Sequence, residues 1–164
     1  MSETIIREAT EKDFRLIWPI FSAVVSSGDT YAYDSGLNFD QAKKVWLEDP
    51  LKCLIVEKDR EVLGTYYIKS NQGGGGRHVC NCGYMVAAKA RGMGLATEMC
   101  VHSQALALEF GFKAMQFNFV VSSNDSAVAL WQKLGFDIVG TLPKAFLHPD
   151  GRYVDAYVMH KILV

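Results

Sequence analysis

The chain is predicted to be an α/β protein with one mixed, twisted sheet of about seven strands flanked by about four helices. Three observations carry this. Strand-like and helix-like apolar patterns follow one another in the order β α α β β β α β α β β. Residues 78–121 set a strand, a glycine-rich turn, a long helix and another strand in succession. The 164 residues, 49% of them hydrophobic, supply a core for a single domain spanning residues 1–164 without calling for a second.

Residues 4–8 alternate as a strand, and residues 13–25 carry Phe14, Ile17, Trp18, Phe21, Val24 and Val25 at helical spacing. In the loop over residues 26–37, Gly28-Asp29-Thr30-Tyr31-Ala32-Tyr33 is too aromatic for a plain solvated linker. Tyr31 and Tyr33 either contact a ligand or cover the core. Asp40 is expected to cap a short helix through Val45, Trp46 and Leu47, ended by Asp49-Pro50. Residues 51–58 and 62–69 read as a hairpin across Asp59, Arg60 and Glu61, with residues 73–76 as its flexible exit. After the strand at residues 78–86, a helix carries Leu95, Met99, Leu106 and Phe110 at periodic positions. Residues 114–121 form a strand, a helix opens at Asn124, and strands over residues 137–142 and 153–163 close the chain.

A formal net charge of −1 and no basic run argue against a nucleic-acid surface, so a small molecule is the better partner. No cleavable apolar leader follows Met1 and no apolar stretch nears 18 residues, so neither membrane nor secretion is indicated and the expected location is cytoplasmic. Cys53, Cys80, Cys82 and Cys100 lack secreted-domain spacing and are read as free thiols. His78, Cys80 and Cys82 share one strand face. A C-x-C inside an apolar strand, away from a turn knuckle, reads as small buried side chains, and no metal is expected.

The turn Arg91-Gly92-Met93-Gly94-Leu95-Ala96 has the makings of a phosphate cradle. Glycines let several backbone N–H groups converge on one anion, and the free N–H groups and partial positive end of the following helix add to the pull. The dipole alone is worth about 0.3 to 2 kcal/mol, so Arg91 and the amides must do most of the holding. No lysine follows Gly94 as a P-loop requires, and the pattern does not fit a dinucleotide fingerprint.

Read as [QR]-x-x-G-x-[GA], Arg91, Gly94 and Ala96 match the coenzyme A pyrophosphate loop of the GCN5-related N-acetyltransferases, and the chain resembles that superfamily. Asn124, Ala127, Leu130, Trp131, Gly135 and Phe136 resemble its second signature, N-x-x-[SA]-x-x-L-[YWH]-x-K-x-G-F. The resemblance spans residues 5–162. It implies the acyl-CoA N-acyltransferase fold, acetyl-CoA as co-substrate, and two parallel strands that splay apart around the acyl group. It assigns Met85, Val86, Arg91, Gly92, Met93, Gly94, Leu95, Ala96, Asn124, Ala127 and Trp131 to the cofactor. Asn124 is also a natural helix N-cap. A homodimer is compatible with the resemblance.

Strand parity places Val79, Asn81, Gly83 and Met85 on one face, and His78, Cys80, Cys82 and Tyr84 on the other. Farther along, Met115, Phe117, Phe119 and Val121 look like core, against Gln116, Asn118 and Val120. An asparagine inside an apolar strand needs a hydrogen-bond partner, and a ligand could be one. The stretches 78–81, 115–120 and 138–140 resemble the yeast N-acetyltransferases of azetidine-2-carboxylate. Those proteins have asparagines at positions matching Asn81, Asn118 and Asn124, the first two near an amino-acid substrate.

The implied chemistry is acetyl transfer to the amine of a small molecule, an amino acid or its analogue, by direct attack in a ternary complex. A non-catalytic acyl-CoA sensor, or a protein or polyamine acceptor, is the alternative. Tyr31, Tyr33, Asn81 and Asn118 are the expected substrate contacts. A backbone N–H near Met85 or Val86 would donate to the thioester oxygen. Asn81, Asn118 and Tyr153 are the expected catalytic set. Trp131 stands where many members carry a tyrosine that protonates the departing thiolate, and an indole cannot do so. Tyr153 and His148 are then candidates by residue type. No base accompanies the cysteines, which argues against an acyl-enzyme.

Overall fold

A computed structural model describes residues 2–164. Its strands β1 (Ile5–Glu8), β2 (Lys52–Lys58), β3 (Glu61–Ser70), β4 (Val79–Val86), β5 (Ala114–Val121), β6 (Asp137–Leu147) and β7 (Tyr153–Ile162) make one sheet in the order β1-β2-β3-β4-β5-β7-β6. The helices are α1 (Phe14–Ser27), α2 (Phe39–Lys43), α3 (Leu95–Glu109) and α4 (Asp125–Lys133). Every neighbouring pair is antiparallel except β4 with β5, the pair joined through α3. A seven-stranded mixed sheet with four helices is therefore realised. No helix is long and apolar enough to cross a membrane among the described residues.

Because alternate strand residues point to opposite faces, the sheet carries two cores. Phe14, Ile17, Phe21 and Val25 of α1 pack with Trp46, Ile55, Tyr67 and Met85 on one face. Leu95, Met99, Cys100 and Ala107 of α3 pack with Tyr66, Ile68, Cys80, Cys82, Met115 and Phe117 on the other. The predicted parity of β4 holds, with Met85 in the first core and Cys80, Cys82 and Tyr84 in the second. All four cysteines are free and buried, and no group of three or more His, Cys, Asp or Glu is placed to hold a metal among the described residues.

Several local expectations are corrected. Asn38, rather than Asp40, caps α2: its Oδ1 accepts from Gln41 N at 2.9 Å while Gln41 Oε1 accepts from Asn38 N at 3.0 Å. This reciprocal pair satisfies two end groups at once, which Asp40 inside the first turn cannot do. The chain then widens into a turn over Lys44–Glu48 that drives Trp46 into the core, where its Nε1 donates to Thr65 Oγ1 at 3.0 Å. In α3 the buried face is Leu95, Met99, Cys100, Ser103 and Ala107, whereas Leu106 is half-buried and Phe110 is exposed.

The parity predicted for β5 fails at Phe119 and Val120, although Val121 is buried as expected. Phe117 pairs with Met159 but Val120 pairs with Tyr157, so one extra residue bulges out of β5 between them. Val120 consequently joins the buried core beside Met115 and Phe117, while Phe119 is half-buried with its ring 6.1 Å from that of Phe146. β6 runs five residues past its expected end, to Leu147, with an irregularity between Leu142 and Phe146. Lys144 there takes φ 49° and its N–H donates to Asp155 Oδ1 at 2.9 Å.

Candidate active site

The site begins where the parallel pair β4 and β5 comes apart. β4 and β5 match at Val79 with Ala114 and at Cys80 with Met115, and no farther. At the next step the Asn81 side chain takes over: its Nδ2 donates to Gln116 O at 2.9 Å, and its Oδ1 accepts from Tyr67 O–H at 2.8 Å. Asn81 is buried, and both bonds are needed to offset the desolvation of its amide. Tyr67 reaches it because Gly83 has no side chain; a Cβ there would stand 2.6 Å from Tyr67 Cε1.

Hydrogen bonds settle which backbone groups face the gap. Asn71 N donates to Val79 O and Ala87 N to Leu63 O, so the odd-numbered residues of β4 turn toward β3. Lys113 N donates to His78 O, so the even-numbered ones turn toward β5. Beyond Cys80 they meet no β5 partner. The N–H of Met85 is thus committed to the interior ladder, and the expectation that it or Val86 faces the acyl group is narrowed to Val86 and its even neighbour Tyr84. Tyr31 already occupies Tyr84: its hydroxyl accepts from Tyr84 N and donates to Tyr84 O, both at 2.8 Å. Burial pushes the Tyr31 phenol well above its ordinary pKa, so it stays neutral.

From this gap a cleft of about 820 Å³ extends toward the start of α3, lined among others by Tyr31, Tyr33, Asn81, Val86, Arg91 and Trp131. At its far end Gly92 and Gly94 adopt φ 79° and 80°. A Cβ at either would meet nothing within 4 Å, so glycine is required there for backbone conformation rather than for space. Glu98 N makes the first bond back into α3, to Gly94 O at 3.1 Å. The N–H groups of Leu95, Ala96 and Thr97 precede any helical acceptor and are available to an anion. Leu95, buried at the base of α3, fixes their direction.

The acetyltransferase (GNAT) family matches residues 8–136 of this sequence. The chain belongs to that family. The enzyme is an N-acetyltransferase of the acetyl-CoA-dependent kind. It is 35% identical to N-acetyltransferase aca1 of Schizosaccharomyces pombe over 151 residues, 82% of this chain and 72% of that protein. L-amino acid N-acetyltransferase AaaT of Escherichia coli is 25% identical over 163 residues, 99% of each chain. A solved GCN5-related N-acetyltransferase from Kribbella flavida superposes with a TM-score of 0.92 at 41% identity, covering 97% of both chains.

The acetyltransferase brings most of the sequence-selected residues into one cleft. Tyr31, Tyr33, Asn81, Met85, Val86, Arg91, Ala96, Asn118, Asn124, Ala127 and Trp131 all line it. Tyr31 and Tyr33 also do the structural work, stacked with centroids 5.6 Å apart over Trp46. Asn124 is the N-cap of α4, its Oδ1 accepting from Ala127 N at 3.4 Å. Trp131 lies against Tyr84 and Phe117, with centroids 5.2 and 5.1 Å away. Asn118 is exposed, donating to Asn71 Oδ1 at 2.6 Å and accepting from Gln116 Nε2 at 2.9 Å. Of the turn itself only Arg91 and Ala96 line the cleft; Gly92, Gly94, Leu95 and Met93, the last 43% exposed, do not.

Tyr153 is not brought to the cleft. It starts β7 opposite Leu147, is 64% exposed and is not among the residues that line the cleft, although β7 itself runs beside β5. His148 is likewise occupied locally, its Nδ1 accepting from Asp150 N at 3.2 Å. Residue type alone had selected both. Sequence reasoning missed Tyr67, Lys69 and Asp29, which line the cleft as well. Period-two alternation on β3 puts Tyr67 and Lys69 on the face of Asn81, a signal available only once the β3–β4 register was known.

Proposed function

We propose that this enzyme moves an acetyl group from acetyl-CoA to the amine of a small molecule of the amino-acid class, by direct attack within a ternary complex. The observation that carries the reading is the parting of β4 from β5, which leaves Val86 backbone groups unpaired beside a turn rich in free N–H groups. The residues fit a diphosphate carrier: Arg91 supplies charge, the positive-φ glycines open the turn, and the first amides of α3 point outward. Coenzyme A would contribute an activated thioester carbonyl. The names of the E. coli and fission-yeast relatives support the amine acceptor, and the first supports an amino acid.

The chain's own residues supply alignment and polarisation. The Val86 and Tyr84 N–H groups are the donors that can meet an oxygen gaining negative charge between the strands. Asn81 holds the gap at its narrow end, and Tyr67, Tyr31 and Tyr33 wall the acceptor side. Holding two reactants in register supplies effective molarities of about 10⁵ M or more. Burial raises the pKa of Tyr67 and Tyr31 and pushes Tyr33 up to about 12, so no tyrosinate base forms near neutrality. Asp29 is the single carboxylate lining the cleft among the described residues. The amine therefore loses its proton to water or to Asp29. The Cys82 thiol is raised by burial as well, which disfavours an acyl-cysteine route.

The test is release of free thiol from acetyl-CoA, followed with a chromogenic disulfide, across amino acids, polyamines and short peptides. Turnover confined to amino acids supports the reading. Turnover only with peptides or polyamines replaces the acceptor class, and cofactor binding without turnover over the whole panel overturns it.

A further inference from the structure

Three ionic side chains line the cleft among the described residues: Asp29, Arg91 and Lys69. Arg91 belongs to the turn before α3, at the diphosphate end. Lys69 is the cation left for the acceptor end, and the β3–β4 register puts it directly across from Asn81. Residues opposed in this way project from the same face with Cβ atoms about 5 Å apart. Two residues earlier on that face is Tyr67, whose hydroxyl donates to Asn81 Oδ1 at 2.8 Å. Lys69 Nζ lies 5.2 Å from the centroid of the Tyr67 ring, which steadies the ammonium without neutralising it.

The surroundings give this charge no counter-ion. Lys69 shares with several other lysines the lack of a carboxylate within ion-pair distance among the described residues, but it is the lysine that lines the cleft. Its polar neighbours across the strands are neutral amides: Asn81, and the chain in which Gln116 Nε2 donates to Asn118 Oδ1 and Asn118 Nδ2 to Asn71 Oδ1. A cation flanked by amides, at the mouth of a cleft that carries the amine to the strand gap, is suited to a carboxylate and hostile to a second positive charge.

We propose that Lys69 is the specificity-determining residue of the acceptor site, binding the carboxylate of an amino-acid substrate and disfavouring polyamines. The assignment rests on the reading that this cleft acetylates a small amine. It adds the atom that selects among such amines. Asn81 and the strand edge set where the nitrogen sits, and Lys69 selects for a carboxylate on the substrate that carries it.

The experiment compares α-amino acids with their decarboxylated amines as paired acceptors, for the wild-type enzyme, Lys69→Gln and Lys69→Arg. Lys69→Gln is expected to raise KM for the amino acid about 10- to 100-fold, the weight of one charge-assisted hydrogen bond, with kcat nearly constant. KM for the matched amine should move less than about twofold, acetyl-CoA binding by calorimetry should not change, and Lys69→Arg should restore most of the amino-acid affinity. An unchanged KM in Lys69→Gln, or equal loss on both members of each pair, overturns the role of Lys69 while leaving the acetyltransfer reading intact. A wild-type enzyme that acetylates neither member of any pair removes the acceptor reading and this assignment with it.

Discussion

The hydroxyl of Tyr31 holds both backbone groups of Tyr84, accepting from its N–H and donating to its C=O at 2.8 Å each, fifty-three residues away in the chain. A loop side chain thereby completes the hydrogen bonding of a strand edge that has lost its parallel neighbour. The same N–H is one of the two donors that face the gap in the proposed reaction. Tyr31 and an incoming acyl oxygen compete for it.

Tyr31→Phe removes the competitor and two hydrogen bonds together. The free enzyme should lose about 1 to 3 kcal/mol of stability, read as a lower thermal midpoint. Acetyl-CoA should bind about 2- to 10-fold more tightly by calorimetry, since its oxygen no longer displaces a phenol. Weaker binding in a folded variant would show instead that Tyr31 contacts the bound thioester.

Gly94 caps α3 at φ 80°, a conformation that costs a side-chain-bearing residue about 1 to 2 kcal/mol. Gly94→Ala should turn the α3 amides away from their common focus and weaken acetyl-CoA binding about tenfold or more, with little change in the circular dichroism spectrum. Arg91→Ala should weaken it too and flatten its dependence on salt concentration, because a screened charge is removed. Undiminished calorimetric heat in both variants would place the diphosphate elsewhere.

Asn81 and Asn118 separate by burial. Asn81→Ala leaves Tyr67 O–H and Gln116 O without partners in a mostly buried setting, so about 1 to 3 kcal/mol of stability should go along with activity. Asn118 is exposed and bonded to other exposed amides. Asn118→Ala should cost under about 0.5 kcal/mol in urea unfolding and reduce amine use while acetyl-CoA affinity holds. Equal loss of amine and cofactor binding would move Asn118 out of the acceptor site.

Asp13 accepts from Arg7 at 2.9 and 3.0 Å and from Thr10 N at 2.6 Å, tying the start of α1 to β1. Arg7 chiefly, with Thr10, holds its carboxyl well below the usual range. A depressed folded-state pKa contributes stability above the unfolded value of about 3.9 and loses it as pH falls toward the folded one. Asp13→Asn should therefore lie furthest below wild type above about pH 5, and the gap should narrow below about pH 4. A gap in denaturant midpoints that stays constant from pH 7 to pH 3 would rule out this ion pair as its source.

The element order, the two-faced sheet and the glycine turn before α3 were legible in the chain because each rests on local chemistry: side-chain period, glycine conformation and helix-end amides. Asn81 stood out on similar grounds, a polar residue in an apolar run that must find a partner. Where local signals competed, reading failed. Asp40 and Asn38 are both good caps, and only the reciprocal Gln41 contact chose between them. A bulge in β5 exchanged Val120 for Phe119, and no residue type announces it. Tyr153 was selected by what a phenol can do, without regard to where β7 begins.

By itself, then, the sequence determined which segments are strands and helices and that a glycine turn and free helix-end amides stand before α3, because these depend on neighbours a few residues apart. Tertiary structure alone decided which amides face the gap, that Tyr31 covers Tyr84, and that Lys69 stands opposite Asn81. Those relations depend on strand register and on the divergence of β4 from β5, and a one-residue change in register would reverse every side chain involved.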